Sequence, residues 1–380
     1  MLRIVADENM PALSLFDGIG QIITTPGRPL ERALLKQADV LLVRSVTQVD
    51  GALLEGTPVR FVGSATIGTD HVALDELGQL GVCFAHAPGC NAMAVAEYVL
   101  QAILSWPPGE LAGLSVGVIG MGNVGRRVSA LVQALGMKVL AHDPWLEQAP
   151  AGATLVTLAQ ALAADVITLH VPLVDAGPHP TRHLLDGPRL AALGPQRLLI
   201  NTSRGPVVDN TALLALLRSG TGPVTVLDVW ETEPLVPPAL LALAASGSPH
   251  VAGYSVEGKT RGTWMLYQAL CQWCGEAASR PMPQLAPSRQ WPHAITDTAS
   301  MLAWLHAGYR LADDHQRLCE VVGLTPEGVH YRSEAERAAG FDLLRKRYPA
   351  RHEMAGWQMA GAIAPAWQPV LSQLGAVLVR

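Results

Sequence analysis

The sequence predicts an α/β protein built on parallel sheets, and three observations support this prediction. Short apolar runs rich in β-branched residues recur up to residue 228, which is typical of buried parallel strands. Stretches with helical spacing of apolar residues separate these runs, as the alternation of strands and helices requires. One run leads directly into a glycine-rich loop, GMGNVG at 120–125, which opens a predicted helix.

The first region contains four predicted strands separated by helix-like segments. The strands are expected at 2–6, 39–43, 59–63 and 82–86. We expect them to form a flavodoxin-like α/β domain over residues 1–94, to which a helical stretch within 255–280 returns. A strongly helical stretch at 91–104 leads from this domain into the next.

The second region, residues 95–254, is predicted to be a doubly wound parallel sheet of the Rossmann type. A strand at 114–119 precedes the glycine-rich loop, a helix at 124–135 follows it, and Gly136 is a plausible cap for that helix. Further strands are expected at 138–142, 165–170, 197–201 and 223–228.

The glycine-rich loop has the spacing GxGxxG of a dinucleotide-binding turn. Gly120 would allow the tight turn, Gly122 would let the backbone approach a pyrophosphate, and Gly125 would let helix and strand pack closely. The free N–H groups and the dipole at the start of the helix then favour phosphate binding. The alternative is a loop that only shapes the fold.

Asp143 follows the second strand of this unit, 18 residues after Gly125. A carboxylate at this position can accept hydrogen bonds from the adenosine ribose diol. It would repel a 2′-phosphate, and Pro144 and Trp145 offer no cation to offset the repulsion. The sequence therefore predicts NAD rather than NADP as the cofactor.

Beyond the second region, four prolines between 281 and 292 predict a linker, and residues 293–380 are expected to form a smaller α+β domain. The formal charge of −5 argues against nucleic-acid binding, and no apolar run is long enough to span a bilayer. Sparse cysteines and the absence of a secretory segment indicate a cytoplasmic protein. We expect no metal site, since Pro178 and Pro180, on either side of His179, exclude a helix that would present His179 and His183 to one ion.

Three residues downstream of the cofactor unit suit the oxidation of a 2-hydroxy acid. Arg204, Glu233 and His250 each lie just after a predicted strand or in a loop. The guanidinium can hold a carboxylate and polarise a carbonyl oxygen, and the imidazole can take the hydroxyl proton. The carboxylate can orient the imidazole and favour its charged form. Taken singly, an arginine after a strand is more often part of a surface ion pair, and a histidine in a loop is more often solvated.

Four segments resemble the pattern of the D-isomer-specific 2-hydroxyacid dehydrogenases. They are LGPQRLLINTSRGPVVDNTALLALL, the GMGNVG loop, LDVWETEP and SPHVAGYS. Further segments, including IVADENMP at 4–11 and GYSVEGKTRGT at 253–263, narrow the resemblance to members that act on a small phosphorylated 2-hydroxy acid. The resemblance covers nearly the whole chain, including its C-terminal extension.

The resemblance implies a role for each matching residue. Arg204, Glu233 and His250 would be the catalytic set, with His250 transferring the proton. Ser45, Thr66 and Tyr254 would contact the substrate. The implied contacts to NAD, beside Gly120, Gly122 and Gly125 of the loop, are Asn123, Val124, Asp143, Ser203, Arg204, Asp228 and Gly253. Val171, where the family commonly has Thr, lacks a hydroxyl but could contact the cofactor through its backbone.

The resemblance also implies a function for each domain. Residues 1–94 with 255–280 would bind the substrate, residues 95–254 would bind NAD, and residues 293–380, after the linker at 281–292, would form a homodimer. The substrate phosphate needs an anchor, for which we predict Arg44 and Ser45 at the end of a strand. The alternative is that Arg44 pairs with Asp39 or Asp50.

Two other functions remain open at this point. The chain could be a related dehydrogenase that acts on 3-phosphoglycerate, glyoxylate or hydroxypyruvate. It could also be a non-enzymatic, NAD-sensing scaffold, like the corepressors that share this fold.

Overall fold

The structure, a computed structural model, describes residues 1–106, 110–285, 289–325, 328–330 and 332–379. The chain forms two compact units, one of Met1–Asn91 with Tyr254–Leu285 and the other of Ala92–Gly253 with Ala286–Arg380. Part of the predicted linker, residues 286–288, lies outside the described residues. The C-terminal region belongs to the same compact unit as the Rossmann domain, and its separation as a third domain stays a prediction.

The strands of the described chain are numbered in order. They are β1 (Leu2–Asp7), β2 (Gly20–Thr25), β3 (Val40–Val43), β4 (Phe61–Ser64), β5 (Cys83–His86), β6 (Ser115–Ile119), β7 (Lys138–His142), β8 (Ala153–Leu155), β9 (Val166–Leu169), β10 (Leu198–Asn201), β11 (Val224–Leu227), β12 (Ser246–Gly247), β13 (Gln290–Trp291), β14 (Leu324–Thr325), β15 (Gly328–Val329), β16 (Gln358–Met359) and β17 (Val377–Leu378).

The helices are numbered in the same way. They are α1 (Arg32–Leu35), α2 (Gly51–Leu54), α3 (Leu74–Gln79), α4 (Ala92–Ser105), α5 (Asn123–Ala134), α6 (Leu158–Leu162), α7 (Gly187–Ala191), α8 (Asn210–Arg218), α9 (Pro238–Leu243), α10 (Val256–Cys274), α11 (Thr298–Gly308), α12 (Leu311–Val322), α13 (Glu334–Lys346) and α14 (Gln368–Gln373), with short 3-10 helices at Leu13–Phe16, Gly205–Val207 and Pro365–Trp367. In the described part of the chain, none of the helices has both the length and the apolar character needed to cross a bilayer.

The first unit has a five-stranded parallel sheet in the order β2-β1-β3-β4-β5. This is the strand order of flavodoxin-like folds, so the predicted architecture is confirmed. Every residue of β3 and β4 is buried because apolar clusters cover both faces of the sheet. One cluster includes Leu266 and Leu270 of α10, which explains why the chain returns to this unit after the second one.

The second unit has a seven-stranded parallel sheet in the order β12-β11-β10-β9-β6-β7-β8. Read from β8, the order reverses direction at β6, where the chain crosses to β9, as in the doubly wound Rossmann fold. The predicted fold is therefore confirmed. The carboxyl ends of β6 and β9 lie at this switch point, which is where ligands bind in such sheets.

The C-terminal region combines helices with short strands. The strands β13, β16 and β17 form a small parallel sheet, and β14 and β15 form a hairpin. Met301 and Trp304 of α11 are fully buried in the same apolar cluster as Val99 and Ile103 of α4. This shared core explains why the region packs as part of the second unit.

The sequence prediction missed three edge strands of the two large sheets, β2, β8 and β12. Each lies at the edge of its sheet, and none is an uninterrupted buried run, because one side of an edge strand stays accessible to water. The central strands were predicted to within two residues of their bounds, since burial on both faces requires continuous apolar runs.

Candidate active site

The cofactor and catalytic residues predicted in the second unit follow six neighbouring strands at one edge of its sheet. From one side to the other, these strands are β7, β6, β9, β10, β11 and β12. Because all six are parallel, their carboxyl ends and the loops that follow them share this edge. The fold therefore brings together residues that lie up to 130 positions apart, from Gly120 to His250.

The glycine-rich loop has the geometry that a dinucleotide needs. Gly120 has a φ of +92°, and an added Cβ would lie 2.7 Å from the carbonyl oxygen of His170. At Gly125, an added Cβ would lie 2.0 Å from the carbonyl oxygen of Gly120, so only glycine allows this close packing. At Gly122, an added Cβ would meet no described atom within 4 Å. This open space lies at the start of α5, whose cap at Gly122 uses no side chain. The residues present therefore fit a bound pyrophosphate.

Asp143 directly follows β7, as predicted, and its carboxylate faces the glycine-rich loop. Its Oδ2 accepts a hydrogen bond from the backbone N–H of Met121 at 2.9 Å, and its Oδ1 accepts one from the N–H of Trp145 at 3.1 Å. An ionised carboxylate has about four acceptor positions, so these two bonds leave capacity for a ribose diol. The backbone bonds fix the carboxylate in place.

Val171 lies beside the glycine-rich loop, since an added Cβ at Gly120 would approach its Cγ1 to 3.0 Å. Ser203 is buried after β10, where its N–H and Oγ both donate to Oδ1 of Asn201, at 3.0 and 2.8 Å. Asn201 in turn donates through Nδ2 to the carbonyl of Arg204 at 3.0 Å. The Ser203–Arg204 turn is thus built around one buried amide.

The turn after Arg204 packs directly on the segment that carries Glu233. An added Cβ at Gly205 would lie 2.0 Å from the carbonyl oxygen of Trp230, so the two loops touch through their backbones. Arg204 donates through Nη1 to the carbonyl of Ser203 at 2.8 Å, which holds the guanidinium against its own turn. Arg204 is thereby anchored next to the loop that carries Glu233.

His250 and Glu233 form the central pair of the site. The Nδ1 of His250 lies 2.7 Å from Oε1 of Glu233, and each side chain keeps a little over a quarter of its surface exposed. Burial raises the pKa of Glu233, but the charge of His250 and its hydrogen bond outweigh that effect and lower the pKa below its usual value. Because the ionised carboxylate accepts the proton on Nδ1, the opposite nitrogen, Nε2, is available for a substrate hydroxyl.

Asp228 lies at the end of β11 and shapes the loop of His250. Its Oδ1 accepts from the Oγ of Ser248 at 2.6 Å and from the N–H of Val251 at 2.7 Å, and its Oδ2 accepts from the N–H of Ala252 at 3.0 Å. Burial raises the pKa of this carboxyl. These bonds show a structural use of the carboxylate, whereas its predicted contact with NAD, like that of Gly253, stays a prediction.

The predicted substrate residues of the first unit lie around the carboxyl ends of β3 and β4. Arg44 follows β3, and its guanidinium lies 5.6 Å from the ring centre of Tyr254. Thr66 follows β4, where its Oγ1 lies 2.7 Å from Oγ of Ser64 and donates to the carbonyl of Gly68. Ser45 is exposed. Because β3 and β4 are neighbours, these side chains share one edge of the sheet.

The alternative pairing of Arg44 with Asp39 or Asp50 has no support in the described contacts of those carboxylates. Asp39 instead lies 3.8 Å from the guanidinium of Arg60, and Asp50 caps α2 by accepting from the N–H of Leu53. A second cation, Lys259, lies 4.5 Å from the ring centre of Tyr254. The tyrosine ring is therefore flanked by two cations.

The sequence analysis missed one cluster that the fold assembles within the second unit. His183, Asp209 and Glu231 offer ligand atoms that lie within 4.8 Å of one another, a grouping that can hold a metal ion. The two ring nitrogens of His183 face separate carboxylates, at 2.6 Å from Glu231 and 3.9 Å from Asp209. This arrangement also suits an imidazolium held between two carboxylates. No spacing in the sequence signals the cluster because its members come from three different loops.

Comparison with known proteins agrees with the family resemblance found in the sequence. A family model described as "D-isomer specific 2-hydroxyacid dehydrogenase, NAD binding domain" matches residues 93–252. The chain is 44% identical to an erythronate-4-phosphate dehydrogenase of Pseudomonas aeruginosa, over the full length of both chains. It is 46% identical to an erythronate-4-phosphate dehydrogenase of Marinobacter nauticus, with 93% of each chain covered.

A solved structure agrees on the fold. The D-lactate dehydrogenase of Aquifex aeolicus, complexed with NAD and lactic acid, matches with a TM-score of 0.62 and 24% identity. The match covers 72% of this chain and 95% of the other. More than a quarter of this chain thus lies outside that shared fold.

Proposed function

We propose, from the premise that this chain belongs to the erythronate-4-phosphate dehydrogenase family, that it oxidises 4-phospho-D-erythronate at its 2-hydroxyl. The product would be 3-hydroxy-2-oxo-4-phosphobutanoate, in the synthesis of pyridoxal 5′-phosphate. The chain is an NAD-dependent oxidoreductase of the D-isomer-specific 2-hydroxyacid dehydrogenase family. A non-enzymatic scaffold therefore loses its support.

The observation that carries the chemistry is the 2.7 Å contact between His250 and Glu233. In the oxidation, the O–H bond of the 2-hydroxyl breaks and its proton passes to Nε2 of His250. NAD, when bound, supplies the acceptor for the hydride that leaves C2, and the C–O bond becomes a carbonyl. The carboxylate of Glu233 stabilises the imidazolium that forms, since it already accepts the proton on Nδ1.

Arg204 would bind the substrate carboxylate and polarise the oxygen on C2 as the carbonyl forms. Two features support this role. The side-chain amide of Asn201 donates to the carbonyl of Arg204, and Gly205, the next residue, packs on the backbone of Trp230. A preorganised cation costs no rearrangement as negative charge develops on the oxygen.

NAD would be held along the carboxyl edge of the Rossmann sheet. The N–H groups at the start of α5, from Asn123 and Val124, would bind the pyrophosphate, and Asp143 would bind the adenosine ribose. Further contacts would come from residues that follow the next strands of the sheet, namely Val171, Ser203, Arg204, Asp228 and Gly253.

The substrate phosphate would be bound by groups of the first unit. Arg44 supplies a cation, and Ser45 and Thr66 supply hydroxyls at neighbouring strand ends. The contact of Arg44 with the ring of Tyr254 supports this role, because stacking on an aromatic face leaves the N–H groups in the guanidinium plane available.

We also infer that the enzyme is a cytoplasmic homodimer that associates through its C-terminal region. The edge strand β17 and the residue after it support this: Val377 and Leu378 of the strand and Val379 are each at least two-fifths exposed. Exposed apolar side chains on an edge strand favour pairing with another chain. The five free cysteines are consistent with a reducing compartment.

The test is NAD reduction by the purified enzyme with 4-phosphoerythronate, unphosphorylated erythronate and 3-phosphoglycerate, with a 2-oxo acid present in case bound NADH must be reoxidised. We expect strong selectivity for 4-phosphoerythronate. Equal or better activity with the other two would overturn this substrate assignment while leaving the dehydrogenase family unaffected.

A pair of variants would test the phosphate anchor. In Arg44→Met, KM for 4-phosphoerythronate should rise about 10- to 100-fold, the range expected for one charge-assisted hydrogen bond of about 1.5–3 kcal/mol. The control is Arg60→Met, which removes a more exposed guanidinium from the same unit and should leave KM unchanged. Equal effects of the two substitutions would contradict the role of Arg44.

A further inference from the structure

The loop that carries His250 adopts a conformation that the residue does not favour by itself. His250 has a φ of +58°, in the left-handed region that side chains other than glycine rarely occupy. Such a conformation persists only where surrounding contacts hold it. Inside the sheet domain, the carbonyl and carboxylate of Asp228 provide three backbone bonds to residues 250–252.

Two further contacts come from the C-terminal region, and they hold the two ends of this loop. The Nδ1 of His315, on α12, accepts a hydrogen bond from the N–H of Gly247 at 3.0 Å. The Nη1 of Arg351 donates to the carbonyl of Ala252 at 2.9 Å. Both residues lie outside the 93–252 segment that the family model matches.

The guanidinium of Arg351 is fixed by its surroundings. Arg351 is 3% exposed, its Nη2 donates to the carbonyl of Ala94 at 2.7 Å, and it lies 3.9 Å from the ring centre of Tyr309. The carboxylate of Glu97, itself buried, lies 3.7 Å away and compensates the charge. A buried charge that is paired and hydrogen-bonded in this way has no freedom to leave the loop without a large penalty.

His315 is suited to accept the proton of Gly247. Burial lowers the pKa of His315, so its ring is neutral at physiological pH and one nitrogen is an acceptor. Its other nitrogen lies 3.5 Å from the Sγ of Cys319. The ring is therefore held between Cys319 of α12 and Gly247, at the start of the loop that carries His250.

We propose that Arg351 and His315 are positioning residues for His250, through which the C-terminal region sets the geometry of proton transfer. Neither is among the residues to which we assign a contact with the substrate or the cofactor. Their hydrogen bonds fix the residues that flank His250, so that its ring stays aligned with Glu233. The proposal depends on the proposed role of His250 as the proton acceptor.

The first test compares Arg351→Met with Arg310→Met. Arg310 is an exposed arginine of the same C-terminal region, 3.8 Å from Asp313. In Arg351→Met, we expect kcat to fall at least tenfold while the Kd of NADH stays within about twofold, because Gly253 is the one proposed NAD contact next to Ala252 and the others, including Asp143 and the glycine-rich loop, follow other strands. The acid side of the pH profile of kcat/KM should also change, since a loosened loop weakens the contact with His250 that lowers the pKa of Glu233. Arg310→Met should match the native enzyme in all three measurements.

The second test uses variants of His315, so that the proposal can still be tested if Arg351→Met does not fold. His315→Leu removes the acceptor for Gly247, whereas His315→Gln keeps a side-chain acceptor. We expect the leucine variant to lose kcat and the glutamine variant to recover most of it, at equal melting temperatures.

Four outcomes separate the possibilities. A folded Arg351→Met enzyme with native kcat and pH profile would overturn the proposal, as would equal losses in the two His315 variants. Joint loss of kcat and NADH binding in Arg351→Met would also overturn it, because it indicates general unfolding of the site. If His250→Ala turned over as fast as the native enzyme, the proposed catalytic role would fail first, independently of the positioning residues.

Discussion

Replacing Asp143 by alanine should reverse much of the preference for NAD over NADP. The carboxylate is held by the N–H groups of Met121 and Trp145, at 2.9 and 3.1 Å, beside the glycine-rich loop. In this position it would accept hydrogen bonds from the ribose diol of NAD. The same negative charge would repel the 2′-phosphate of NADP.

The expected size of the effect follows from two terms. Loss of charge-assisted hydrogen bonds to the ribose costs about 2 kcal/mol, or roughly 30-fold in the affinity for NADH. Repulsion of a 2′-phosphate carrying about −1.5 to −2 charges amounts to roughly 1.5 kcal/mol in water, about tenfold, and disappears in the variant. The ratio of the two affinities should therefore change by roughly 300-fold.

The assay is fluorescence titration of NADH and NADPH into the native enzyme, Asp143→Ala and Asp143→Asn. The asparagine variant is the control, because its amide oxygen can still accept one of the two backbone N–H groups without the negative charge. Weakened NADH binding together with stronger NADPH binding would support the reasoning. An unchanged ratio of affinities in the alanine variant would refute it and show that another residue reads the ribose.

Three further predictions concern His250 and the residues that surround its loop. His250→Ala should lower kcat by about 10²- to 10⁴-fold, the usual contribution of general acid–base catalysis, while NADH titration shows unchanged affinity; equal loss of both would indicate a folding role. The folded-state pKa of Glu233 is lowered from 4.5, so the contribution of this carboxylate to stability is present above pH 4.5 and is lost as the pH falls through the lowered pKa. Urea unfolding should therefore show that the free energies of unfolding of Glu233→Gln and the native enzyme converge in acid. Tyr98→Phe removes the buried O–H that lies 2.8 Å from the Oγ of Ser248, and should cost about 1 kcal/mol in the free energy of unfolding; no change in urea unfolding would mean that the bond contributes nothing.

The sequence by itself determined the fold class and the cofactor unit. Buried central strands such as β3 and β10 require continuous apolar runs, and these are visible without a structure. The glycine-rich loop and Asp143 could be placed because a dinucleotide site uses residues close together in the chain, in a fixed order of strand, loop, helix and strand. The residues predicted to be catalytic, Arg204, Glu233 and His250, were selected with the help of the family resemblance, since spacing alone does not distinguish a catalytic arginine from a surface one.

The tertiary structure decided what depends on contacts between distant parts of the chain. In the folded chain, His183 lies between Asp209 and Glu231, and the carboxylate of Asp228 accepts a hydrogen bond from the N–H of Val251, in the loop of His250. The tertiary structure also connected Arg351 to Ala252, across 99 positions of sequence. No local pattern encodes such contacts, because a side-chain hydrogen bond imposes no periodicity on the residues between its partners. A doubly wound sheet gathers the ends of many strands at one edge, so the environment of a catalytic side chain is set by packing rather than by its sequence neighbours.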